Sequence, residues 1–259
     1  MRSRLAPVVL LALVAGCSTP ARPPSPERPT APPLRVGCAP DSPPVAFRRS
    51  GEIVGIEPDF ASALATELGR PLQLVQYDWV DLIPALLSGR VDVIMSGMTV
   101  TPARSVRIAF ADPWLDSGLM AAMRREDASR YKTVESIMNT RATVGVREGT
   151  TGEKWVREEL RDATVQLYPT SQAAVQELRE RRIDLFINDA ALVLWLVSAN
   201  ESGIAALRTR LNHDQFAWAF RQQDTALRTA ANAALARWRQ DGTYETIIHR
   251  WLPYWSSIK

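Results

Sequence analysis

Two stretches decide the fold: Arg90-Val-Asp-Val-Ile-Met-Ser-Gly97 and Arg182-Ile-Asp-Leu-Phe-Ile-Asn-Asp189. Each runs a basic residue, a β-branched residue, an Asp, three apolar residues and then two small or polar ones. The apolar centres predict strands covered on both faces, and the closing pairs fall where each strand leaves its sheet. Outward from the first stretch, Leu34 to Cys38 and Leu72 to Tyr77 predict strands. A helix opens at Glu57-Pro58-Asp59 and closes at Gly69, and Val80 to Leu87 predicts a shorter one. Outward from the second, Thr143 to Arg147 and Thr164 to Tyr168 predict strands, with helices over Thr151 to Leu160 and Ser171 to Arg181. An Ala-rich helix over Asp224 to Arg239 and a last one, begun after Gly242-Thr243 and ending near Trp251, close the pattern. Strands that alternate with helices imply a parallel sheet. The repeated grammar therefore predicts two α/β lobes of similar architecture.

Ahead of the lobes, Arg2 and Arg4 precede an apolar run, Leu5 to Val14, that ends in Val14-Ala15-Gly16-Cys17. This pattern predicts a signal peptide over residues 1–17. The run is too short to span roughly 30 Å of hydrocarbon as a helix. Small residues before a Cys resemble the lipobox of bacterial lipoproteins, which would make Cys17 the lipidated (palmitate-bearing) first residue of the mature chain. Residues 18–33 are too rich in Pro for helix or sheet and too poor in apolar side chains to bury anything. They predict a tether that reaches up to roughly 50 Å at about 3.1 Å per residue. These features predict an exported protein anchored by lipid to a bacterial membrane, in the periplasm or at the cell surface.

A formal net charge of +3, with Arg scattered among Asp and Glu, gives no basic and aromatic stripe, which argues against nucleic acid as a partner. With Cys17 lipidated, Cys38 has no disulfide partner, and its apolar neighbours predict a small buried hydrophobe. The two His, His213 and His249, have no neighbour at ligand spacing, so no metal site and no cofactor is expected. Most of the eight Trp are expected in the core or at a hinge. Trp79, in the loop after the second strand, is the one placed to point into a crevice.

In open α/β sheets, ligands sit beyond the carboxyl ends of the strands. Ser96-Gly97 and Asn188-Asp189 occupy such ends. On two facing lobes they would set a hydroxyl and backbone amides opposite a carboxylate, which suits a zwitterion. Capping of the adjoining strands and helices explains the same residues equally well.

Six stretches, in order, carry a resemblance: Val54-Gly-Ile-Glu-Pro-Asp59, Trp79-Val-Asp-Leu-Ile-Pro-Ala-Leu86, Ser96-Gly-Met-Thr-Val-Thr-Pro-Ala-Arg104, Phe110-Ala-Asp-Pro113, Gly149-Thr-Thr-Gly-Glu153 and Asp241-Gly-Thr-Tyr244. From Leu34 to Trp251 the chain resembles the family 3 extracellular solute-binding proteins, which serve ABC transporters for polar amino acids. The resemblance implies a two-lobed, periplasmic-binding-protein-like fold of type II, with a ligand cleft between lobes joined by two crossover strands. Lobe one would comprise 34–114 and 217–259, and lobe two 115–216. It further implies a monomer that captures a small polar ligand, an amino acid first of all, and hands it to an ABC permease.

By the same resemblance, Arg104 grips the ligand's α-carboxylate, and a guanidinium fork suits a bidentate pair. Ser96, Gly97, Thr99 and Thr150 add donors, Asp189 receives the α-ammonium and Trp79 forms an aromatic wall. The first loop departs from the family pattern. Ala39 and Ser42 stand where an Asp and an aromatic are usual, so either Asp41 substitutes from two residues on or Asp189 holds the ammonium alone. Arg147, at the edge of the pocket, tilts the preference toward an acidic or amide side chain; a solvated Arg at a strand end is the alternative. Two rival functions share the fold: a sensor for a membrane receptor, and a cyclohexadienyl or arogenate dehydratase with Glu153 as proton donor. A Glu in the first helical turn is also what a helix dipole favours, and no enzyme is expected.

Overall fold

The computed structural model describes residues 31–253. Residues 1–17 and all but the last three of the tether lie outside that range, and 31–33 are neither helix nor strand.

Two five-stranded sheets share one design. The first runs, in spatial order, Leu72–Gln76, Leu34–Cys38, Val93–Ile94, Ala219–Phe220 and Ala109–Phe110. The second runs Thr164–Tyr168, Thr143–Arg147, Leu185–Asp189, Leu119–Arg124 and Ile204–Ala206. In each the first three strands are parallel, as the repeated pattern predicts. The remaining two break the parallel expectation, because Ala219–Phe220 and Leu119–Arg124 pair antiparallel with both of their neighbours. These are the strands by which the chain enters a sheet after crossing from the other one, so no helix precedes them to turn them parallel.

The paired octapeptides occupy equivalent places, and their Asp residues do equivalent work. Arg35 N donates to Asp92 Oδ2 over 3.0 Å, and Thr143 N donates to Asp184 Oδ2 over 3.0 Å. Each carboxylate thus satisfies an amide at the start of the neighbouring strand, Leu34–Cys38 or Thr143–Arg147, a group that would otherwise lack a partner. Each also carries an arginine: Arg35 at 2.7 Å from Asp92, Arg124 at 3.2 Å from Asp184. The first octapeptide is strand only over Val93–Ile94. Beyond it the backbone turns out at Gly97, whose φ of +69° belongs to the left-handed region that favours glycine.

A two-stranded antiparallel ribbon, Leu115–Ser117 against Asp214–Phe216, carries the chain from one sheet to the other and back. Gly118 follows it at φ +153°, and a Cβ there would lie 2.3 Å from the Asn212 carbonyl oxygen, so no larger residue fits. Below the first sheet, Phe60 meets Trp114, Trp218 and Trp238 at centroid distances of 5.6, 5.6 and 5.8 Å. All four rings are buried. The second core gathers Val144, Val146, Val156, Leu185 and Ile187. Cys38 is a free, fully buried thiol within the first sheet, and burial pushes its pKa up to about 12.

The helices follow the expected pattern closely, with bounds of Ile56–Glu67, Thr151–Glu159, Ser171–Arg179, Thr225–Asp241 and Thr243–Trp251. Two differences bear on the cleft. Trp79–Asp81 is a tight 3₁₀ turn that leads into an α-helix only from Leu82. An unforeseen helix, Ala190–Ala199, follows directly on Asp189. Its sequence, AALVLWLVSA, is apolar on every side and offers no amphipathic period to read.

Candidate binding cleft

The carboxyl ends of the two sheets face each other, and the predicted site residues are mostly brought together there. Trp79, Ser96, Gly97, Thr99, Thr150, Arg147 and Asp189 line one small cavity of about 20 Å³, enough for about one water. Wider hollows exist, one of about 760 Å³ among Asp59, Thr66, Trp238 and Arg250. The cleft, however, is lined by two charged residues with a buried side-chain atom that lacks a partner, Asp189 and Arg147.

Asp189 supplies the first. As a residue it is part-exposed, but its Oδ1 is buried with no hydrogen-bond partner. Burial, and secondarily the charge of Asp214, raise its pKa to about 7, against the opposing pull of Arg104 and Arg147. Arg104, part-buried, does not itself line that cavity but stands beside Thr99, which does. Its Nη1 donates to the Thr99 carbonyl over 2.9 Å, and Nη2 lies 3.5 Å from the Gly149 carbonyl. Among the described residues no carboxylate comes within the 4.0 Å of an ion pair with it. Burial lowers its pKa, with Asp189 and Asp214 opposing.

Arg147 overturns the solvated alternative: only 4 % of its surface is exposed. Nη2 pairs with Asp41 Oδ2 at 2.7 Å, Nη1 reaches Ser42 Oγ at 3.3 Å, and Nε is buried without a partner. The guanidinium carbon lies 5.2 Å from the centre of the Trp79 ring, and that of Arg104 lies 5.4 Å from it. Trp79 in turn donates from Nε1 to the Gly149 carbonyl at 3.0 Å. Asp41 is thereby engaged by Arg147.

The small polar residues are partly committed. Ser96 Oγ accepts from Ala39 N at 2.9 Å, which fixes the first loop on the strand end. Thr150 caps the helix that follows it: its hydroxyl donates to Arg147 O at 2.7 Å and accepts from Glu153 N at 3.3 Å. Thr99 and Thr151 bring their hydroxyl oxygens to 3.5 Å across the cleft. Gly97 N, by contrast, donates away from the cavity, to Glu57 Oε2 at 2.8 Å. Glu57 is fully buried, accepts from Trp114 Nε1 at 2.8 Å, and has a pKa raised by burial to about 8. In the sequence it reads as an ordinary acid at a helix start. Nothing in the spacing marks it as the residue beneath the site, and Leu192 and Phe216, which also line the cavity, carry no polar signal at all.

Glu153 does not face the cavity. Its Oε2 accepts from Gly149 N at 2.8 Å and its Oε1 pairs with Arg157 Nε at 3.0 Å, so both oxygens serve the loop and the first helical turn. Among the described residues no group of three or more His, Cys, Asp or Glu is placed to hold a metal ion.

The family model of the bacterial extracellular solute-binding proteins, family 3, matches residues 34–254. The chain belongs to that family. This solute-binding protein is 30 % identical over 249 residues to the putative ABC transporter arginine-binding protein 2 of Escherichia coli, covering 94 % of this chain and 98 % of the other. A cyclohexadienyl dehydratase of Pseudomonas aeruginosa is also 30 % identical, but over 158 residues, or 61 % of this chain and 59 % of that one. Among solved structures, an ancestral amino-acid-binding protein described as a precursor of cyclohexadienyl dehydratase superposes with a TM-score of 0.80. It is 30 % identical, with 84 % of this chain and 94 % of that one covered. The type II binding-protein fold expected from the six stretches is thus the fold of the protein, and it serves extracytoplasmic solute capture for ABC transport.

Proposed function

We propose that the protein captures a free α-amino acid in this cleft, with Arg104 on the α-carboxylate and Asp189 on the α-ammonium. One observation carries the reading: a part-buried guanidinium without a carboxylate, beside the cavity at Thr99, and a buried carboxylate oxygen without a donor, on its lining, lie near enough for each charge to act on the other. Burying two such groups is costly unless something completes them, and a zwitterion completes both at once. Thr99 adds a polar contact near the Arg104 end, Gly97 N being held by Glu57, and Trp79 packs against the ligand. The cavity is too small for an amino acid as it stands, so capture requires the two walls to part about the Leu115–Ser117 and Asp214–Phe216 ribbon. We assign 34–114 with 217–259 to one lobe and 115–216 to the other.

The reading includes no turnover, because Glu153 is held by Gly149 and Arg157 and has no free oxygen to protonate a leaving group. We further propose that Cys17 carries the lipid anchor and that the monomer delivers its ligand to a membrane permease. Thermal-shift screening of the purified protein against the common amino acids tests the ligand class. A ligand at a hundred times its Kd adds about 2.7 kcal/mol to the folded state, and no shift with any amino acid overturns the reading.

A further inference from the structure

The ion pair of Arg147 with Asp41 belongs to no step of capture described so far, yet it occupies the same cleft. Its energetics are unusual for a mere strut. A buried pair stabilises only when its remaining hydrogen-bonding capacity is used, and Arg147 leaves Nε without a partner. Its guanidinium also lies by an aromatic ring, an arrangement a cationic ligand side chain would itself seek.

We infer that Arg147 sets the class of ligand side chain: its own guanidinium, beside Trp79 and bonded to Asp41, takes the place that a cationic side chain would need, so the site admits neutral polar or acidic amino acids and excludes arginine and lysine. This rests on the amino-acid reading above. An incoming ammonium or guanidinium would meet Arg147 in a desolvated space, where juxtaposed like charges are costly. The carboxylates that could compensate are taken or stand off the cavity, as does Asp214, whose Oδ2 accepts from Asn212 Nδ2 at 2.9 Å. Asp41 Oδ2 is bonded to Arg147 at 2.7 Å, Asp189 is required by the α-ammonium, and Glu57 accepts from Gly97 and Trp114. Asp78, whose charge also acts on Arg147, is exposed and does not line the cavity. The free Nε–H of Arg147 offers what the opposite class supplies, an acceptor oxygen from an amide, hydroxyl or carboxylate.

The test is calorimetric titration of the wild-type protein with glutamine, glutamate, asparagine and aspartate on one side and arginine, lysine and ornithine on the other. The same panel is run on Arg147→Met and Arg147→Lys. The wild type should bind at least one neutral or acidic amino acid about a hundredfold more tightly than any cationic one. Arg147→Met frees Asp41 and should gain arginine or lysine affinity by about tenfold or more, while Arg147→Lys retains the charge and should keep the exclusion; each decade corresponds to about 1.4 kcal/mol. Wild-type binding of arginine or lysine as tight as that of the best neutral or acidic ligand overturns this inference and leaves the amino-acid reading intact. If the folded wild type binds no amino acid of either class, both fall. Should Arg147→Met not fold, the wild-type panel alone decides.

Discussion

Trp114 Nε1 donates to Glu57 Oε1 over 2.8 Å, while the other oxygen of the same carboxyl accepts from Gly97 N. One buried acid therefore ties the turn that forms a wall of the cleft to the residue that enters the crossover ribbon. Because its folded pKa is raised from 4.5 to about 8, the sign of its pH effect is set. Its contribution is fully present below about pH 4.5 and is lost as pH rises through about 8.

Glu57→Gln removes that titration and leaves one carbonyl oxygen for two buried N–H donors. Relative to the mutant, the wild type should be most stable near pH 5 and should lose that advantage by pH 9. Urea denaturation at a series of pH values measures this, and parallel curves for the two proteins would contradict it.

Arg104→Ala should weaken ligand binding by about 2 to 5 kcal/mol, since it leaves the ligand carboxylate desolvated and alone. Arg104→Lys should recover only part of the loss, because a point charge cannot reproduce the fork. Calorimetry on both mutants, with circular dichroism as a check of folding, decides the point. Affinity near that of the wild type in folded Arg104→Ala would remove this residue from the site.

Asp189 must be ionised to hold an ammonium, and its pKa is raised to about 7. Affinity should therefore level off near pH 8, until the ligand's own ammonium deprotonates at higher pH, and fall toward tenfold per unit below about pH 6, with a proton released on binding in that range. Titration in buffers of different ionisation enthalpy reports the proton directly. Asp189→Asn should bind weakly and lose the pH dependence.

Asp92→Ala and Asp184→Ala should each destabilise the fold by about 1 to 3 kcal/mol, because each strands a backbone N–H of the neighbouring strand. Neither faces the cavity, so ligand affinity should hold. Chemical denaturation and calorimetry separate the two effects, and a mutant of normal stability with impaired binding would reverse the assignment.

Cys17→Ala should leave the protein unanchored or its signal uncleaved, as membrane fractionation and mass analysis of the N-terminus would report. A wild-type protein found soluble and exported with a free Cys17 would dispose of the anchor.

The matched octapeptides were legible because their period and their Asp answer to local demands: three apolar residues for a two-sided sheet, and a carboxylate for one amide at a strand start. The expectation for Arg104 rests on the motif around it alone, whereas that for Asp189 also follows from its place at a strand end. Leu119–Arg124 and Ala219–Phe220 were not read as antiparallel, since their direction follows from where the chain recrosses, a property of topology that no local pattern encodes. Arg147 shows the same limit in a side chain. At a strand end it reads either as a pocket-edge residue or as a solvated Arg, and its burial depends on Asp41, 106 positions earlier in the sequence, together with a Trp from a third segment.

The position of Ala219–Phe220 between Val93–Ile94 and Ala109–Phe110 has a consequence for biogenesis. Until residue 220 has been made, the first sheet lacks the strand that joins Val93–Ile94 to Ala109–Phe110, whereas every strand of the second sheet is available once residue 206 has been made. The second sheet can therefore mature while the first is still incomplete, and a chain arrested before residue 220 would present the facing edges of Val93–Ile94 and Ala109–Phe110 unpaired.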